Sequence, residues 1–172
     1  HGFRDFEKGK DAMFSITLIC VGKLKEKFYL AAADEYAKRL RGYVDFTLLE
    51  LQETRLPENP SPAQIAQGLV KEAELIRAKL PKGCWFCVLT PEGTQLSSEE
   101  LAEFMAKKSV GGVSHIVFII GGSLGLSPAV MRRADYALSF SRMTFPHQMM
   151  RVVLLEQIYR SERIQRNEPY HK

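Results

Sequence analysis

The chain of 172 residues has no long apolar run, although 45% of its residues are hydrophobic. A membrane-spanning helix needs about 18 or more consecutive apolar residues, and no basic, apolar and small-residue leader opens the sequence. We therefore expect neither a membrane span nor a secretory signal, and a cytoplasmic protein. The length suits one domain, which we place at residues 13–172.

The first twelve residues, HGFRDFEKGKDA, are polar and lack periodicity. They precede Met13 and a strand-like run, so we interpret them as a cloning remnant or a misread upstream extension. Their basic and acidic residues cancel, and the net charge of +4 therefore belongs to the remainder. This modest excess permits an RNA partner without requiring one.

Cysteine is scarce, and its odd count of three argues against a disulfide framework. Cys84 and Cys87 spell C-x-x-C, but in a strand their side chains would point to opposite faces. A structural zinc site needs four suitably spaced ligands, and the histidines are scattered. We expect buried structural thiols and no metal site.

The common nucleotide-binding motifs are also absent. Neither G-x-G-x-x-G nor G-x-x-x-x-G-K-[ST] occurs in the sequence. The sequence therefore contains neither of the motifs that usually indicate a dinucleotide or a triphosphate cofactor.

Apolar runs alternate with helical patterns along the chain. Runs and turn signals predict strands over 15–21, 45–51, 84–90, 115–120 and 136–140. Spacing and capping signals predict helices over 26–40, 61–79, 97–108, 127–134 and 147–164. In the first helix, we expect Phe28, Ala32, Tyr36 and Leu40 to share the apolar face. The alternation predicts an α/β fold with a mostly parallel sheet and helices on both faces.

Three loops that follow strong strands are the best candidates for a ligand site. They span 90–95, 121–127 and 141–146, and ligands of open α/β sheets gather at the carboxyl ends of strands. The middle loop begins with Gly121, Gly122 and Ser123, and glycine lets a ligand approach the backbone closely. A tight strand-to-helix turn would explain the same glycines.

The same loop also matches G-x-S-x-G, the nucleophile elbow of α/β-hydrolases. In that interpretation Ser123 is the nucleophile, followed in chain order by Asp135 and by either His147 or His171. The chain is short for that fold, and matches of such permissive composition are common. A serine hydrolase therefore stays open as an alternative.

Basic residues concentrate near the C-terminus. Arg160, Arg163 and Arg166 recur at three-residue spacing, which brings them near one helical face. The ordinary explanation is a solvated face. Beside Tyr170 and His171, the same arginines can instead bind phosphates while the aromatic rings stack on a base.

Four long motifs resemble the ribosomal RNA large subunit methyltransferase H family of the SPOUT class. They are VGKLKEKF at 21–28, IGGSLGLSP at 120–128, YALSFSRMTFPHQMMRVVLLEQIYR at 136–160 and PYHK at 169–172. The resemblance extends from Met13 to the end of the chain. It implies a C-terminal trefoil knot, which periodicity alone cannot predict.

The resemblance also implies a cofactor, a substrate and a partner. S-adenosylmethionine would be held by Leu89, Gly121 and the segment Phe140, Ser141, Arg142, Met143, Thr144 and Phe145. The reaction would be methylation of N3 of a pseudouridine in helix 69 of 23S rRNA, on the assembled ribosome. The enzyme would act as a homodimer, with Arg160, Arg163 and Arg166 contacting RNA.

The chemistry requires a group that helps to remove the imide proton. We expect His171, with Tyr170, to assist deprotonation, because imidazole titrates near neutral pH. Arg142 would stabilise negative charge on the base carbonyls, and His147 would be either a packing residue or a second proton acceptor. A non-catalytic RNA-binding module remains an alternative beside the hydrolase.

Overall fold

The computed structural model of the protein describes residues 14–172, so our interpretation of residues 1–12 lies outside the described part. Strands and helices alternate along these residues. The strands are β1 (Ser15–Val21), β2 (Asp45–Leu51), β3 (Trp85–Gln95), β4 (His115–Ile120) and β5 (Tyr136–Ser139). The helices are α1 (Lys27–Leu40), α2 (Pro62–Lys79), α3 (Ser98–Val110), α4 (Pro128–Arg133) and α5 (His147–Gln165).

The strands form a single sheet in the order β2-β1-β4-β3-β5, and every pairing is parallel. The second strand of the sheet, β1, pairs without interruption on both sides, so that Ile16 lies between Phe46 and Ile116. Strands buried on both faces explain the near-continuous apolar sequences of β1 and β4. The predicted fold class is confirmed, whereas the trefoil knot stays a prediction.

Helices cover both faces of the sheet, as predicted. On one face, α1, α3 and α5 pack on alternate strand residues such as Leu18 and Phe118. On the other face, α2 and α4 contribute Ile76 and Val130, which pack on Ile19 and other strand residues. The two-residue period of the strands therefore divides the apolar residues between two cores.

Local signals placed most helix starts correctly. Ser61 and Ser97 each form a reciprocal capping box, with Gln64 and Glu100 respectively. Ser127 accepts a hydrogen bond from the Val130 N–H at the start of α4. These caps satisfy backbone N–H groups that would otherwise lack partners, and they set where the helices begin.

The predicted apolar face of α1 is wrong in part. Phe28 is 64% exposed, whereas Ala33, Ala37 and Leu40 are buried. The buried stripe is rotated from the predicted one because α1 packs small alanines closely against α5. Spacing alone gives several helical stripes, and only the neighbouring helix selects one.

Strand β3 is longer than predicted and contains a bulge. Leu138 of β5 is opposite both Leu89 and Thr94, so the intervening residues 90–93 leave the ladder. At Gly93 a Cβ would stand 2.7 Å from backbone atoms of Ala137 and Leu138. This close approach requires glycine, and it brings the predicted loop 90–95 over the end of β5.

Cys84 and Cys87 are free thiols on different faces, as predicted, although Cys84 is only partly buried. Cys87 lies in the core beneath α1, α3 and α5, and Cys84 packs toward the opposite core. Burial raises the pKa of the Cys87 thiol to about 12, which leaves it unreactive. Within residues 14–172, no group of potential metal ligands occurs. None of the helices described there has the length and apolar character required to cross a membrane.

A buried arginine joins α5 to the ends of two strands. Arg151 is 1% exposed, and its Nη1 donates to Glu50 Oε2 at 2.6 Å. Its Nη2 donates to the Gly22 carbonyl at 3.0 Å, and Glu50 also accepts from the Leu24 N–H. The guanidinium thereby fixes the loop after β1 against the first turns of α5.

We expect Arg151→Met to lower the free energy of unfolding by about 3 kcal/mol, because Glu50 and the Gly22 carbonyl lose their partner. Urea denaturation followed by circular dichroism measures the change. Lys107→Met is the matched control, since the Lys107–Glu103 pair is largely exposed and contributes little. Equal midpoints for both variants would contradict the structural role of Arg151.

Candidate active site

The bulge of β3 and the loops after β4 and β5 meet at the carboxyl edge of the sheet, where we expected three loops to meet. They enclose a cavity of about 490 Å³, a volume within the usual range for ligand sites. The lining is mainly apolar side chains and backbone groups. Among the lining residues are Leu89, Thr90, Glu92, Gly121, Ser123, Leu126, Leu138, Phe140, Met143, Phe145 and His147.

The glycine turn forms a tight wall of this cavity. A Cβ on Gly121 would stand 2.6 Å from the Gly125 carbonyl oxygen, too close for any side chain. Gly125 has a φ of +77° and donates its N–H to the Gly122 carbonyl. The turn therefore closes on its own backbone, and glycine is required at its start.

Glu53, from the loop after β2, reaches across the end of β1 to this turn. Its Oε1 accepts hydrogen bonds from the Ser123 N–H at 2.8 Å and from the Ser123 hydroxyl at 2.5 Å. A Cβ on Gly122 would stand 2.7 Å from the same oxygen. The second glycine of the turn thus makes room for a carboxylate that our sequence interpretation did not single out.

Several groups act on the charge of Glu53. Burial acts to raise its pKa, but the two hydrogen bonds from Ser123 and the nearby His147 and Lys25 together lower it. The carboxylate is therefore ionised at neutral pH. Loops after strands were recognised as candidate sites, and applying the same rule to the loop after β2 would have identified Glu53.

Most residues predicted to hold the cofactor line the cavity. Leu89, Gly121 and the segment 140–145 do so, with one exception. Arg142 is exposed and is not among the lining residues. A missed residue is Glu92, a carboxylate at the cavity wall whose side chain accepts a hydrogen bond from the Thr90 hydroxyl.

The C-terminal tail folds back on α5 and on the start of α3. Tyr170 donates its hydroxyl to Glu156 Oε1 at 3.1 Å, and its ring packs edge-on against Tyr159. Burial, together with the charge and hydrogen bond of Glu156, raises the pKa of Tyr170 to about 12. Tyr170 therefore stays protonated at neutral pH.

His171 is held on both sides of its ring. Arg160 Nη1 donates to Nδ1 at 3.1 Å, because a guanidinium has no acceptor. Nε2 therefore carries the proton and donates to Glu99 Oε1 at 2.5 Å. Neither His171 nor Tyr170 lines the cavity of its own chain.

The three arginines of the predicted phosphate-binding face lie along one side of α5 and have internal partners. Arg160 pairs with Glu156, Arg163 with Glu168 and Arg166 with Glu162. Arg160 also covers the Tyr170 ring and Arg166 the Tyr43 ring. These contacts hold the tail in place, and the RNA-binding role stays a prediction.

The geometry does not support the hydrolase interpretation. The Ser123 hydroxyl bonds to Glu53 rather than to an imidazole. Asp135 accepts from the Phe86 N–H near the amino ends of β3 and β5, at the opposite edge of the sheet. His171 is bonded to Glu99 and Arg160 instead. A nucleophile, base and orienting acid within hydrogen-bond reach are therefore not brought together.

Comparisons with known proteins point to one family. Residues 14–171 match the family described as "Predicted SPOUT methyltransferase". Ribosomal RNA large subunit methyltransferase H of Bifidobacterium animalis subsp. lactis is 50% identical over 158 residues, which cover 92% of this chain and 99% of that protein. The protein of the same name from Carboxydothermus hydrogenoformans is 49% identical over 157 residues, 91% of this chain and 99% of the relative.

A solved structure has the same fold. A methylase family protein from Neisseria gonorrhoeae superposes with a TM-score of 0.54 and covers 94% of this chain and 88% of that chain. Its sequence is 14% identical to this one. At that identity the likeness concerns the fold alone.

We expect Glu156→Ala to release the C-terminal tail, because Tyr170 and Arg160 both donate to this carboxylate. A hydrogen bond to a charged group contributes about 1.5 to 3 kcal/mol, or about tenfold or more in an opening equilibrium. Carboxypeptidase removal of the last three residues, followed by mass spectrometry, should accelerate accordingly. Glu103→Ala, on the exposed face of α3, is the control, and equal rates would show that Glu156 does not hold the tail.

Proposed function

The chain belongs to the SPOUT methyltransferase family, among the ribosomal RNA large subunit methyltransferases H, and from this premise we propose its reaction. It transfers a methyl group from S-adenosylmethionine to N3 of a pseudouridine in helix 69 of 23S rRNA, on the assembled ribosome in the cytoplasm. The observation that supports this most is one cavity in which the bulge of β3 meets two loops, after β4 and β5, that carry the family's motifs.

The cavity suits S-adenosylmethionine in size and chemistry. Apolar side chains such as Leu89, Leu138 and Phe140 offer a site for the adenine. The tight Gly121 turn exposes backbone groups, and the Glu92 carboxylate suits a cationic or hydroxylated part of the ligand. When bound, the sulfonium supplies an activated methyl group. The chain's own residues then have to orient the base and remove its proton.

A site composed from two subunits explains where the proposed catalytic residues lie. His171, Tyr170 and Arg142 do not line the cavity of their own chain. In a two-fold homodimer, the tail of one subunit can instead face the cavity of the other. Tyr170 keeps its phenol proton because its pKa is high, and within its own chain it donates that proton to Glu156. In the composite site this hydrogen bond would be exchanged for one to the base, while the exposed Arg142 approaches the base carbonyls.

An apolar surface next to the cavity supports a homodimer. Met143 is 73% exposed and Phe145 39%, and both belong to the loop that closes the cavity. Met149 and Val153 continue this surface one helical turn apart on α5. Contiguous exposed apolar residues at a functional site are typical of protein interfaces. We propose that a second copy of the chain covers this surface.

We propose that Arg160, Arg163 and Arg166 bind the RNA. Arg166 is the most accessible of the three, with 46% of its side chain exposed. A guanidinium that already pairs with a carboxylate can still donate its remaining N–H groups to a phosphate. The affinity for ribosomes should then fall steeply as the salt concentration rises, because phosphate contacts release counterions.

Methyl transfer is the direct test. We expect tritiated S-adenosylmethionine to label one helix 69 pseudouridine in ribosomes that lack this modification, with much less label in separated subunits and free rRNA. Gly121→Ala should abolish transfer, since its Cβ would collide with the Gly125 carbonyl. Gly112→Ala places its side chain in open space, at a position that does not line the cavity, and should remain active.

The outcomes separate the alternatives. Cofactor binding without transfer to any ribosomal particle would contradict the proposed substrate. Ribosome binding without cofactor binding would favour a non-catalytic RNA-binding module. Labelling of Ser123 by a serine-reactive phosphonate would return the hydrolase to consideration.

We expect Met149→Glu to convert the dimer to monomers, because the new carboxylate would be buried without a partner in the interface. Sedimentation velocity measures the association state, and methyl transfer should fall with the dimer fraction. Val110→Glu, at a 90% exposed position at the end of α3, is the matched control and should remain dimeric. A wild-type protein that sediments as a monomer would overturn the composite site.

A further inference from the structure

A second recess opens beside the cofactor cavity. It has a volume of about 930 Å³ and lies between the loop after β1 and the loop after β2. Ser123, Leu124 and His147 line both spaces and form the wall between them. A group bound in the recess would therefore lie next to a molecule in the cavity.

The recess has the charges that a nucleotide requires. Lys23, Lys25 and Arg55 line its sides and can contact phosphate oxygens. Glu53 lies at the wall toward the cavity, with a carboxylate that suits the N–H of a base edge. Glu50 and Glu58 also line the recess, and Glu50 is paired with Arg151. Three cations, with Glu53 at the wall toward the cavity, match a phosphate backbone with a single base turned inward.

The two carboxylate oxygens of Glu53 have different surroundings. Ser123 donates twice to Oε1. Oε2 lies 3.4 Å from the point where a Cβ of Gly22 would stand, and His147 Nε2 lies 3.9 Å from that same point. Gly22 has a φ of +104°, so a side chain is strained there and the space between the carboxylate and the imidazole stays open.

We propose that Glu53 is the catalytic residue that accepts the imide proton of the target base, which enters through this recess. The inference rests on the proposed function and assigns the proton transfer of that reaction. Ser123 is the positioning residue that orients the carboxylate. Lys23, Lys25 and Arg55 hold the phosphates on either side of the target nucleotide.

The step balances with the groups named. The N3 electron pair forms the bond to the methyl carbon while the carbon–sulfur bond of the sulfonium breaks and its electrons stay on sulfur. The N3–H bond breaks, its electrons remain on N3, and the proton goes to Glu53 Oε2. Because the N–H becomes strongly acidic as the N–C bond forms, an ionised carboxylate suffices as the acceptor.

Glu92 and His171 are less suited to this role. Glu92 lies on the β3 bulge, where it accepts from Thr90, and it lines the cavity but not the recess. In the described tail, His171 uses Nδ1 to accept from Arg160, which leaves no nitrogen to take a proton. Glu53 lies at the boundary between the two spaces and has an oxygen that Ser123 does not engage.

Glu53→Gln tests the proposal, because glutamine keeps an oxygen for Ser123 but cannot accept the proton. We expect the single-turnover rate of methyl transfer to fall about 100-fold or more. Cofactor affinity by calorimetry and co-sedimentation with ribosomes should stay within about threefold of wild type. Glu53→Asp should recover part of the rate, and Glu74→Gln, exposed on α2, should equal wild type.

The pH profile separates proton transfer from a structural role. Glu53 is ionised across pH 6–8, because Ser123, His147 and Lys25 lower its pKa despite burial. Without a proton acceptor, only the ionised base reacts, and its fraction rises about tenfold per pH unit. The ratio of the Glu53→Gln rate to the wild-type rate should therefore increase with pH.

Two results would overturn the inference. One is a Glu53→Gln rate equal to that of wild type, and the other is a rate loss that follows a matching loss of cofactor affinity with a pH-independent ratio. If the wild-type protein itself labels no ribosomal base, the proposed function fails instead. The wild-type arm of the same experiment therefore distinguishes the two failures.

Discussion

The buried guanidinium of Arg151 is the contact on which the geometry of the site depends. It joins α5 to Glu50 at the end of β2 and to the Gly22 carbonyl at the end of β1. His147 lies one helical turn earlier on α5, so its position relative to the strand ends follows from this contact. A buried cation needs a partner for its charge, and the need to reach Glu50 and the Gly22 carbonyl limits how α5 can dock.

A second constraint on the site is that backbone segments pack directly against one another around the cavity. Gly93 lies against β5, and Gly121 lies against the Gly125 carbonyl. Loops this tightly packed lose little further entropy when a ligand binds, which favours a preformed site. The apolar loop with Met143 and Phe145 is different, because it leaves large side chains exposed where a second subunit would cover them.

The arginines near the C-terminus form ion pairs within the chain. Arginine spacing alone indicated a surface for phosphates, but Arg160 and Arg163 pair with Glu156 and Glu168 and hold the tail. The family to which this sequence belongs was evident from its motifs and is confirmed by the comparisons. The motifs did not indicate which residues face the cavity of their own chain, because that depends on where the tail docks.

Strand positions, helix starts and the parallel sheet followed from the sequence, because two-residue alternation and capping act between near neighbours. The meeting of the three candidate segments followed as well, since the carboxyl ends of parallel strands share one edge. Only the tertiary structure decided the strand order, the buried stripe of α1 and the contact between Glu53 and Ser123. Residues 70 positions apart meet through the packing of the whole sheet, and no local pattern in the sequence records that meeting.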